Sequence, residues 1–237
     1  MAGRGGRGRT GPSQRGGRYG LLLAFLVGTY LFSAFNGRHL TTEVQIGLFA
    51  LLLLLAMRSS PLPGRWPLVI CTVTVVGSAA ALGAALTGTQ AGAGAADLWK
   101  ALVLLMTAVV VVRRILAKRT VTIQSIYGAL SAYLIVGLMF AACYAAIQEL
   151  SQTDFFANHQ PVNAQTLQYF SFTTLTTLGY GDFTAAGSGG RSIAVMEALT
   201  GQVFLATLVA RLVSAYRTPD RPLPEDVDGP GDDEDRD

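Results

Sequence analysis

Apolar residues run through this chain in long unbroken blocks separated by short polar or basic stretches, without the half-polar periodicity of helices that face water. A membrane-crossing helix needs roughly 20 predominantly apolar residues. Blocks at Gly20–Phe35, Thr42–Met57, Trp66–Thr87, Asp97–Ala117, Ile123–Gln148 and Ser192–Tyr216 meet or approach that length. The second is short, which predicts local thinning of the bilayer or fraying at its ends. Between the fifth and sixth, Asn163–Thr177 is apolar and aromatic but too short to cross. Glycine-rich residues follow it, so the segment predicts a helix that enters the bilayer and returns as extended backbone. Such backbone is tolerable at membrane depth only when buried in protein or lining water. The expected fold is an all-α membrane protein with six transmembrane helices and a re-entrant helix between the fifth and sixth.

Composition agrees with the pattern. Of 237 residues, 51% are hydrophobic and 14% charged, against about 25% charged in soluble domains. The net charge of +3 averages two unlike parts. From Thr218 onward nine acids face two bases, whereas the preceding residues carry six acids and sixteen bases. Those bases punctuate the apolar blocks instead of forming one face, so they do not argue for nucleic acid. With the N-terminus inside, all bases but Arg38, Lys100 and Arg191 fall on the cytoplasmic side. The positive-inside rule then predicts a multi-pass protein of the cell membrane with both termini cytoplasmic. The N-terminal arginines read as a disordered topology anchor, in preference to a secretory signal or an RNA-binding arm. Cys71 and Cys143 fall inside predicted spans and read as small apolar packers; His39 and His159 lack ligand spacing. No general acid–base pair, activated nucleophile or phosphate-cradling loop is evident, so no enzyme and no cofactor are expected.

The most informative stretch is Thr173-Thr174-Leu175-Thr176-Thr177-Leu178-Gly179-Tyr180-Gly181-Asp182. Two glycines flanking a tyrosine let the backbone turn successive carbonyls toward one axis, because glycine takes positive φ at little cost. Thr177 adds a hydroxyl at the inner end. Thr177 to Gly181 resembles the selectivity filter of the tetrameric potassium channels, with Leu178 where valine is usual. That resemblance is specific over about Leu150–Tyr216 and topological before it. It implies a homotetramer in which carbonyls of Thr177, Leu178, Gly179 and Tyr180, with the Thr177 hydroxyl, coordinate potassium as the permeant ion, and Gly181 completes the filter. It also implies that the Tyr180 ring points away from the ion and that Asp182 forms an outer ring of carboxylates. Tyr169 and Phe170 stand where similar channels brace the filter with aromatics; ordinary interfacial packing is the other reading. Thr173 stands where relatives offer a carboxyl to the aspartate and supplies only a hydroxyl.

Gly201 lies at the spacing of the inner-helix hinge in similar channels, and both bending and close packing against the re-entrant helix stay open. Leu205, Val209 and Val213 follow at helical spacing, as a hydrophobic constriction or as helix packing. Glu197 is an acid within a predicted span, and such groups are functional hypotheses by default. It either faces the cavity or bonds behind the filter to a pore-helix threonine such as Thr176. A voltage sensor needs arginines at every third position of the fourth span. Ala101–Val112 is uncharged, and Arg113, Arg114, Lys118 and Arg119 cluster at its inner end. That cluster reads as an interfacial anchor contacting anionic lipid, and weak or absent voltage dependence is expected. The domain reading is a basic disordered segment (1–19), a four-helix membrane domain (20–119), a pore domain (120–217) and an acidic disordered tail (218–237). The alternatives are a non-conducting or modulatory membrane subunit, or a potassium-transporter subunit, although that architecture carries four filter-like loops in one chain.

Overall fold

A computed structural model describes residues 20, 23–24, 26–28, 47, 49–51, 53, 66–117, 122–151 and 153–215. The expected first two spans fall largely outside the described residues. Segments 1–19 and 218–237, with Lys118 and Arg119, fall wholly outside them.

Five helices follow one another: α1 (Trp66–Leu86), α2 (Gln90–Leu116), α3 (Ile123–Leu150), α4 (Ala164–Leu175) and α5 (Ser188–Ala215). Among the described residues, α1, α2, α3 and α5 are long and apolar enough to cross a membrane, and the ordered β structure is one bridge, Phe156 to Ala185. The chain is thus all-α and, on these helices, a multi-pass membrane protein.

Local chemistry explains the boundaries. Gly88 ends α1 with φ 69°, a conformation that suits glycine, and its N–H donates to the Ala85 carbonyl at 3.3 Å. Thr89 then caps α2 by accepting the Gly92 N–H at 3.1 Å. Because this cap lies upstream, α2 starts at Gln90 rather than at Asp97 as the hydropathy suggested. Asp97 and Lys100 therefore sit two turns inside the helix, both buried and paired with one another. The short connection makes α1 and α2 an antiparallel pair. Trp99 seals it by lying against Gly77, where any side chain would collide, and its ring N–H donates to Ser78 Oγ at 3.1 Å.

The core has three main centres. Leu26, Phe49 and Leu53 pack with Val103, Leu104, Ile135 and Leu138, so the described residues of the early segment join α2 and α3. Phe140, Tyr144, Phe155, Phe156, Leu167 and Phe170 form an aromatic cluster around α4. Val111, Ile115, Ala129 and Ala132 meet Phe204 and Leu208 at the other end of α5. There Arg211 Nη2 donates to the Ile115 carbonyl at 2.6 Å, capping the last turn of α2. About half of the α2 and α3 surface is buried, whereas α1 and α5 leave most of theirs uncovered. Cys71 and Cys143 are free thiols, each half-buried.

Candidate ion-conduction site

α4 is a 12-residue helix with a defined start and a defined end. Asn163 accepts the N–H groups of Gln165 and Thr166, each at 2.9 Å, and its own N–H donates to Thr166 Oγ1. This reciprocal cap satisfies donors that apolar surroundings cannot. The last helical residue, Leu175, is fully buried. Beyond it the backbone changes character.

Thr177, Gly179 and Gly181 have φ of 57°, 50° and 80°, while Leu178 and Tyr180 between them stay on the negative side. An alternation of left- and right-handed residues lines successive N–H groups along one flank and carbonyls along the other. The N–H flank is visible here: Leu178 and Gly179 both donate to the Thr173 carbonyl, at 2.8 and 3.1 Å. Thr177 is a β-branched residue in the left-handed region, which costs about 1–2 kcal/mol. Its N–H donates to the Thr174 carbonyl at 2.9 Å and its hydroxyl to the Thr176 carbonyl at 2.7 Å, which offset that cost. Residues 176–182 are all exposed in the single chain.

The C-terminal end of this segment is anchored by Asp182. Its carboxylate accepts the Tyr169 phenol at 2.8 Å, and its carbonyl accepts the Gln160 amide at 2.9 Å. The Asp182 bond holds the phenol above its usual range. Tyr169 thus reaches the end of the Thr177–Asp182 segment directly, and its ring meets Phe183 edge-on at 5.6 Å, as Phe183 in turn meets Phe156 at 4.9 Å. Phe170 sits inside the aromatic cluster, 5.1 Å from Tyr144. Thr173 does not bond Asp182: its hydroxyl turns back onto the Tyr169 and Phe170 carbonyls, and its own carbonyl accepts the Leu178 and Gly179 N–H groups.

Glu197 is completely buried behind α4. It accepts the Tyr144 phenol and the Ser171 hydroxyl, each at 2.5 Å, and so ties α3, α4 and α5 at one point. The expected bond to Thr176 does not form. That hydroxyl donates instead to the Phe172 carbonyl, one turn back in its own helix. Tyr144 and Ser171 were not singled out from the sequence; a tyrosine and a serine within apolar helices were the available signal.

Gly201 is packed against the C-terminal end of α4, where an added Cβ would strike the Leu175 carbonyl. The same carbonyl accepts Tyr133 Oη at 3.1 Å. Close packing therefore accounts for this glycine. The next residue, Gln202, donates its amide to Thr177 Oγ1 at 3.0 Å. Gln202, Leu205, Val209 and Val213 share one face of α5 and are exposed in the single chain.

Residues 128–218 match a family described as Ion channel. The matched domain is of the two-span potassium-channel type and covers α4, α5 and all but the start of α3. A curated relative, Protein LctB of Bacillus caldotenax, is 32% identical over 106 residues, covering 42% of this chain and 78% of the relative. The chain belongs to this family of ion channels. No solved structure matches it significantly.

Proposed function

We propose that four copies of this chain surround one axis and conduct potassium passively across the cell membrane. The observation that carries this reading is the alternation of φ sign from Thr177 to Gly181, with the N–H flank bonded to α4. The opposite flank is left to carbonyls, and an array of carbonyl dipoles can replace the hydration shell of a monovalent cation. Exposed irregular backbone is not tolerated against lipid, so these residues need water and further copies around them. The C-terminal end of α4 brings about half a negative charge to the inner side of that array. Leu178 presents its carbonyl, so selectivity over sodium does not depend on its side chain.

Six spans, cytoplasmic termini and a re-entrant α4 complete the proposal, supported by the charge distribution and the capped, short α4. Arg113 and Arg114, in the last turn of α2, are offered to anionic lipid at the inner surface. Purified protein in liposomes with a potassium gradient tests the reading. Barium-sensitive potassium flux with a much smaller sodium flux is expected, and silence under both gradients overturns it.

A further inference from the structure

We infer that Gln202 is a positioning residue for the inner end of the conduction path, setting how strongly the Thr177 hydroxyl holds an ion. The inference rests on the pore reading above. A threonine hydroxyl has one proton and two lone pairs. The proton of Thr177 is spent on the Thr176 carbonyl at 2.7 Å, and one lone pair accepts the Gln202 amide at 3.0 Å. One lone pair remains for a cation. The amide also withdraws electron density from that oxygen and points a partly positive hydrogen at it, so the hydroxyl becomes a weaker ligand. Conduction requires sites that ions can leave as readily as enter. A weakened innermost ligand serves release into the space below.

The reach is fixed by the fold. Gly201 lets α5 approach the Leu175 carbonyl without a side chain between them, and this contact delivers the neighbouring Gln202 to the level of Thr177. A glutamine spans that gap and an asparagine, one methylene shorter, does not. The pair Gln202→Leu and Gln202→Asn therefore separates the hydrogen bond from mere polarity. Asparagine keeps an amide on the same helix face but gives up the bond.

The test is unitary potassium conductance and internal barium block of the full-length channel in bilayers. Barium is close to potassium in size but doubly charged, so its residence reports ligand strength. Both substitutions are expected to tighten internal barium block about fivefold, the worth of one ordinary hydrogen bond, and to lower unitary conductance. Gln202→Asn behaving as wild type, or unchanged barium block in both variants, overturns the inference while the pore reading stands. Absence of flux in the unsubstituted protein overturns both. Should Gln202→Leu fail to assemble, the asparagine variant decides alone.

Discussion

Replacing Glu197 separates a carboxylate that organises the protein from one that serves the ion path. In Glu197→Ala the Tyr144 phenol loses its acceptor, while Ser171 keeps the Gly137 carbonyl at 2.7 Å. One orphaned buried hydroxyl costs about 1–3 kcal/mol. The vacated volume, roughly 60 Å³ of side chain, adds about 1.5 kcal/mol at 24 cal/mol per Å³ if the site does not collapse. A loss of about 2.5–4.5 kcal/mol is therefore expected. In Glu197→Gln the amide oxygen can accept from Tyr144 and the NH₂ can donate to Ser171 Oγ, which leaves the Ser171 proton for Gly137. That variant should stay within about 1 kcal/mol of wild type. Thermal denaturation in detergent reads both: a drop of several degrees for alanine and little change for glutamine. Because Glu197 is fully enclosed, Glu197→Gln should also leave unitary conductance unaltered. Equal melting of all three proteins, or a changed conductance in the glutamine variant, would refute the reasoning.

Four further outcomes are expected. Gly201→Ala should lower the melting point by the equivalent of about 1–3 kcal/mol of overpacking, despite alanine's better helix propensity; a melting point at or above wild type contradicts the contact with Leu175. Tyr169→Phe removes a bond worth about 1 kcal/mol from Asp182 and should speed the decay of potassium current during sustained conduction about fivefold, so unchanged decay speaks against that anchor. Leu178→Val should leave the potassium-to-sodium permeability ratio as it is, and a reversal potential moved toward sodium would show that the side chain matters. Asp97→Asn breaks a buried ion pair and should cost about 3–5 kcal/mol, most of it recovered when Lys100→Met is added; melting of the single and double variants decides.

The fold was legible where one signal dominated. Blocks of apolar residues predicted α1, α3 and α5 to within a few residues, because burial in lipid asks for length and apolarity and for little else. The start of α2 was missed because Gln90–Ala96 is small rather than apolar, and a threonine cap, not hydropathy, sets the boundary. The glycine pattern announced the positive φ of Gly179 and Gly181, since positive φ is a local property. Its supports were less legible. The Tyr169–Asp182 bond spans 13 positions and the Tyr144–Glu197 bond 53, and no period in the sequence marks such distances. Thr173 and Thr176 were weighed for their hydroxyls, yet inside a helix threonine readily spends its proton on a carbonyl of the preceding turn. Gln202 carried a readable signal, an amide in an apolar helix beside the glycine, but its partner became apparent only from the packing of Gly201.

Arg211 gives the part of the chain outside the matched domain a hold on the part within it. A cation is favoured at a helix C-terminus, and here the cation belongs to α5 while the terminus belongs to α2. Sideways travel of the C-terminal end of α5 must either carry α2 along or surrender that bond. α2 is therefore moored to the stretch between Val209 and Val213, and if the proposed constriction lies there, the stiffness of α2 enters the work of widening it.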